Sequence, residues 1–431
     1  MFFSNNNNQL QQTTSYKVVL PFYSYAAVSF VIATFLLLLN TNIIQQHYFH
    51  PATLAITHIM ALGWATMLIL GASYQLLPVI IEGKLNSNLL AYCSFIFCAL
   101  GIPFLVYGFY YFQMNWIMQT GAMLINIGII CYLVNVLGSI CDNKKSNIQA
   151  WYMAIAACWL FTTTFFGLLL VLNFSRPLLP KNSIEYLSLH AHIGLIGWFL
   201  LLVIGVGSRL IPMFLISKYT NTKILKIILV LINAGLVSFI LIKCFLNNKI
   251  TYSIPIICLA TAIILFMYYC YHAYKTRIRK KIDEQMKTSL TSVVQLSIPI
   301  LLITSILFVL PTHSTNNFVL LYGFSFFYGW ITAIILGMTF KTLPFIVWNK
   351  IYHNTIQNSK TPAPKDLFSK RIYDTMFVLY FSSYCLILMG ISIRNIFIVK
   401  IGAVIMLATA ILYLCNVGII LFHKAQKNER N

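Results

Sequence analysis

Twelve apolar runs, each about 20 residues or longer, divide this chain, and a helix of that length is what crossing the hydrocarbon of a bilayer requires. They fall near residues 17–40, 51–81, 88–112, 116–140, 149–174, 188–216, 223–245, 252–275, 288–310, 317–349, 372–395 and 397–423. No soluble domain is built from such a pattern. Of the 431 residues 59% are hydrophobic and only 9% charged, so the expected fold is all-α and integral to a membrane. The reading is a single transmembrane domain over 17–423, with residues 1–16 and 424–431 as cytoplasmic tails. The first tail is polar, Asn-rich and expected to be disordered. It has no basic residue before a full-length apolar run, unlike a cleaved secretion signal.

Orientation follows from the basic residues. All but six of the 29 Lys and Arg lie in the N-terminus, the even-to-odd connections with their flanking helix ends, or the C-terminal tail. The exceptions are Arg176, Lys181, Lys243, Lys249, Arg394 and Lys400. The positive-inside rule then puts both termini in the cytoplasm, as expected for a multi-pass protein of the inner, or cytoplasmic, membrane. The net charge of +21 is explained by cytoplasmic loops such as Lys275 to Lys281 lying against anionic lipid, so the bilayer is the partner and nucleic acid is not. Ten scattered cysteines show no C-x-x-C spacing, which speaks against a disulfide framework or a zinc site.

Inside this pattern one motif is written three times with the same internal spacing. It reads His58, Gly63, Trp64, Gly71, Pro78; then His192, Gly197, Trp198, Gly205, Pro212; then Phe324, Gly329, Trp330, Gly337, Pro344. The motif recurs near the second apolar run of each third of the chain, which predicts three pseudo-repeats of four helices, near 17–140, 149–275 and 288–423. Glycines two turns from proline on one helical stripe admit a neighbouring helix or a flat cofactor.

The histidines carry the chemical information, because an imidazole in hydrocarbon costs free energy unless it is paired or ligated. With the N-terminus inside, His58 and His192 fall in the outer half of the second and sixth spans, and His47, His50 and His190 lie nearby at the outer surface. Residues two apart on a helix point about 200° apart, so His190 and His192 are expected to serve different faces, not one metal ion. Phe324 replaces the histidine in the third motif, and His313 lies in the connection before it. Gln75, Arg209 and Lys341 occupy matching positions at the inner ends and read as snorkelling or helix-end residues. The eight Asp and Glu fall in connections, tails or a span's first turn, leaving no carboxylate relay within the membrane.

Twelve spans in three four-helix arcs, with both termini inside and outer-leaflet histidines on the second and sixth spans, resemble subunit I of the haem-copper oxidase superfamily. The segments THIMALGW around His58 and LHAHIGLIGW around His192 are also similar to NnrS-type membrane proteins of the same broad group, which are associated with nitric oxide stress. The resemblance implies haem, copper or both as cofactors, an oxidoreductase lineage, and other respiratory-complex subunits as partners. It makes His58 an axial ligand of a low-spin haem and His192 a copper ligand. The chain departs from that pattern in two places: the seventh span lacks the family's histidine pair, and the tenth offers Tyr322, Phe324 and Phe326 where the family has histidines. A complete oxygen-reducing site is therefore not expected.

Three functions fit these residues. One is electron transfer or diatomic-gas binding by a haem or copper held between His58 and His192, with His190 as a further ligand. Another is copper handling by a transporter or assembly factor through His47, His50, His58, His190 and His192. The third is a structural subunit whose histidines are packing residues.

Overall fold

The computed structural model describes residues 14–142, 147–246, 248–309, 315–352 and 361–425. The tail expected over 1–16 falls mostly outside these residues, as do His313 and most of the tail after residue 423. Among the described residues 12 helices are long and apolar enough to span a membrane. We number them α1 (Tyr16–Leu39), α2 (Pro51–Ile81), α3 (Asn88–Tyr110), α4 (Trp116–Cys141), α5 (Ile148–Asn173) and α6 (Ser183–Leu215), then α7 (Thr222–Leu246), α8 (Ile250–Lys275), α9 (Glu284–Phe308), α10 (Asn316–Tyr352), α11 (Lys370–Ser392) and α12 (Ile396–Leu421). An even number of spans puts both ends of the described chain on one side of the bundle.

Local chemistry sets the helix starts. Ser15, Ser87, Asn115, Asn147, Asn221, Asp283, Ser369 and Asn395 each accept a hydrogen bond from a first-turn backbone N–H. Pro51 opens α2, where its missing N–H costs nothing.

The three motif helices form the centre. In their most apolar stretches 67–78% of residues are buried, against 28–50% in the other nine. Each leaves α-helical geometry at the corresponding place, with π-helical turns over Ile59–Thr66, Ile193–Leu200 and Ser325–Ile331. These turns begin one residue after His58, His192 and Phe324. The three tryptophans inside them are almost fully buried. Trp64 Nε1 donates to Thr332 Oγ1 at 3.2 Å and Trp198 Nε1 to Thr66 Oγ1 at 3.1 Å, tying α2 to α10 and α6 to α2. At the position that would complete this cycle stands Leu200, which has no hydroxyl.

The second glycine of each motif is a helix-packing residue. A Cβ on Gly71 would strike Phe22 of α1, one on Gly205 would strike Tyr152 of α5, and one on Gly337 would strike Ser289 of α9. The helix preceding each motif helix takes the space that glycine opens, so the flat cofactor also expected against these stripes has no room there.

Of the three residues at the inner ends, Arg209 stands exposed as a snorkelling or helix-end residue should, whereas Gln75 and Lys341 do not. Gln75 is buried, Arg209 is exposed, and Lys341 is paired with Asp283, the N-cap of α9. An acidic cap on the adjoining helix turns Lys341 inward.

The bundle closes by α12 packing on α1, and α5 packs on α4, but the seam between α8 and α9 is thin. α9 breaks at Leu296, just before Pro299. Its first half buries Gln285, Thr288, Ser289, Ser292 and Gln295, whereas in its apolar second half only Pro299 is buried.

Candidate functional site

The departure of α9 leaves a cavity of about 840 Å³ in the half of the bundle remote from the termini. Its wall is mostly apolar. The histidines that line it are His58, His190 and His192.

Two of them are fixed in the same way. His58 Nδ1 lies 2.7 Å from the carbonyl oxygen of Leu54, and His192 Nδ1 lies 2.7 Å from that of Ser188, four residues back in each case. A carbonyl only accepts, so each neutral ring carries its proton on Nδ1 and keeps the Nε2 lone pair free for a ligand. The hydrogen bond also fixes the ring's direction.

His190 is placed by a different device. A Cβ on Gly167 of α5 would lie 2.9 Å from His190 Cε1, so the glycine makes the space that the ring occupies. Its Nδ1 is buried with no hydrogen-bond partner. Three other cavity-lining residues carry buried orphan atoms: Thr53 Oγ1, Asn126 Oδ1 and the Tyr328 hydroxyl. Each such atom costs about 1–3 kcal/mol while nothing meets it.

The opposite directions expected of His190 and His192 separate two ends of the cavity. His190 lies beside His58, ring centroids 6.4 Å apart and planes within 17° of parallel, and Phe109 stacks on His58 at 4.3 Å. His192 lies between Phe239 at 4.9 Å and Tyr322 at 5.7 Å. The histidine beside His58 is thus His190, and not the His192 expected from the motif. Spacing alone gives a helix's two faces but not which neighbour each face meets.

His47 and His50 do not line the cavity. Each uses its own Nδ1 as a backbone acceptor, from Phe49 N–H and Ala52 N–H respectively, and His50 thereby caps α2. Among the described residues no three His, Cys, Asp or Glu side chains gather where they could hold a metal ion. The ten cysteines are all unbridged.

In the third motif helix an aromatic stack fills the corresponding place. Phe324 lies 4.8 Å from Tyr328 and 5.9 Å from Tyr384, all three rings nearly parallel. Sequence reasoning missed Lys243, which also lines the cavity; its signal was its position among the six basic residues on the sparse side. Compared with protein-family models and with curated proteins, the chain matches none.

Proposed function

We propose that this chain is a haem-binding integral membrane protein of oxidase-like architecture, with three pseudo-equivalent four-helix arcs and a haem held in the cavity by His58 and His190. The observation that carries the reading is the spacing of these two rings. Imidazoles sharing one metal atom, about 2 Å from each nitrogen, have centroids about 6 Å apart, and the measured separation is 6.4 Å with nearly parallel planes. His58 offers Nε2, His190 has an unmet ring nitrogen, and the cavity is large and apolar enough for a macrocycle. The matched π-helical turns and the Trp–Thr bonds between motif helices support the threefold arrangement.

A haem ligated by two histidines supplies one-electron transfer, and release of one histidine opens it to a diatomic gas. The chain's own residues hold the rings in place through Leu54 O and Gly167 and keep bulk water from the wall. Copper fits less well, because among the described residues no third His, Cys, Asp or Glu converges on either histidine end. In this reading the termini are cytoplasmic, the membrane is the inner one, and the cavity belongs to the outer leaflet.

An absorption spectrum of the purified protein tests the proposal. A Soret band with about one haem per chain is expected, lost in the His58→Ala, His190→Ala double variant and kept in His272→Ala. His192→Ala is expected to keep it as well. Full occupancy in the double variant overturns the assignment, and copper without haem in the wild type favours the metal-handling reading.

A further inference from the structure

Lys243 breaks three rules at once. It is a cation in the last turn of α7, it lies on the sparse side of the positive-inside division, and it is half-buried in the cavity wall with no acidic partner within ion-pair distance among the described residues. An unpaired charge in a span is costly and marks a site in need of a counter-ion. The one acidic residue lining the cavity, Glu185, is turned to Lys181 at 3.9 Å.

The backbone is adapted at the same place. The last turns of α7, Ile242–Leu246, are π-helical, a distortion that re-aims side chains and concentrates at functional sites. One turn earlier, Phe239 packs on His192, so α7 presents first a ring and then a charge to this end of the cavity. His192 itself is held by its Nδ1 to Ser188 O, and the Tyr322 ring lies 5.7 Å from it.

The α8–α9 seam is the thin one, and the residues lining the cavity along it are Ile256, Leu259 and Ile263 on α8 with Ile300, Ile303 and Ile306 on α9. Such a wall admits an apolar body from the bilayer. Two lysines line the cavity, Lys243 half-buried and Lys249 exposed, and positive charge beside an apolar wall suits the anionic end of an amphiphile.

We infer that the His192 end of the cavity binds the carboxylate of a membrane-borne amphiphile, with Lys243 as the counter-ion and the apolar body lying along the α8–α9 seam. The carboxylate has two sources, a haem side chain or a fatty acid. The inference rests on the cavity being a ligand site and does not require that ligand to be haem.

Paired acids and esters test it. The full-length purified chain in detergent is titrated with haemin and its dimethyl ester, and separately with cis-parinaric acid and its methyl ester. At least one acid is expected to bind about tenfold or more tightly than its ester. Lys243→Gln removes that preference without changing ester affinity, and Lys243→Arg restores it. A preference confined to haemin assigns the carboxylate to haem, and one confined to parinarate assigns it to a fatty acid. Equal binding of acid and ester by the wild type, which needs no variant to fold, overturns the inference. So does an equal loss of acid and ester in Lys243→Gln. If the His58→Ala, His190→Ala variant loses haemin but keeps the parinarate preference, the haem assignment stands and the carboxylate is a fatty acid's. If that variant keeps haemin with its acid preference, only the haem-ligand assignment fails.

Discussion

α2 and α6 carry a histidine just before their π-helical turns, whereas α10 carries Phe324 there, and the backbones of the three helices leave α-geometry at the same motif position regardless. The distortion therefore does not depend on the imidazole. It goes with what the three share, the Gly-Trp pair and the close approach of a preceding helix. The side chain before it decides only what the helix sets in the cavity wall: an imidazole held by its Nδ1 in two cases, and a phenyl ring in a parallel aromatic stack in the other.

Exchanging those side chains gives the largest expected effect. His58→Phe should cut haem content of the purified protein more than tenfold, since the axial nitrogen is gone while stacking on Phe109 persists. The reverse exchange, Phe324→His, should add no haem and should lower thermal stability by about 1–3 kcal/mol, because the smaller imidazole gives up the stack of Phe324 on Tyr328 and Tyr384. A second haem per chain in Phe324→His would break the distinction between the helices.

Next come the features the helices have in common. Gly71→Ala, Gly205→Ala and Gly337→Ala should each cost about 1–3 kcal/mol by overpacking, read as a fall in thermal midpoint by fluorescence-detected size exclusion. Similar losses in all three would place the helix pairs on one footing; a neutral Gly337→Ala would set the third apart.

The smallest effects come from single hydrogen bonds. Thr66→Val and Thr332→Val should each lose about 0.6 kcal/mol, the usual worth of an interhelical bond in a membrane. In the aromatic stack, Tyr380 donates to Gly329 O at 2.8 Å while the Tyr384 hydroxyl has no partner. Tyr380→Phe should therefore cost about 1 kcal/mol, and Tyr384→Phe should be neutral or slightly stabilising in the same unfolding assay.

The spans were legible in sequence to within a few residues, because hydropathy acts locally and each run is long enough to declare itself. Pro51 at the start of α2 was legible for the same reason. The neighbour of His58 was not. Which face of α6 meets α2 depends on how the helices rotate about their axes, and the π-helical turns after His58 and His192 shift that rotation in a way no apolar periodicity records. Lys341 was misread because Asp283 is 58 residues away in the chain and meets it only after α9 has docked. Lys243 was overlooked because its charge fitted the count of basic residues, and only the cavity beside it shows that it is unpaired.

The inverted amphipathy of α9 bears on how the protein is made. Gly337 of α10 lies against Gln285 and Ser289, and Thr288 meets Tyr373 of α11, so this face is covered by two later helices; before they dock it would face acyl chains. The hydroxyls of Thr288, Ser289 and Ser292 turn to carbonyls of their own helix, but the amides of Gln285 and Gln295 so exposed have no water to turn to. α9 therefore gains a settled place in the bilayer only when α10 and α11 have left the ribosome, which ties the three helices together in order of synthesis as well as in space, and makes a chain truncated before α11 a substrate for quality control.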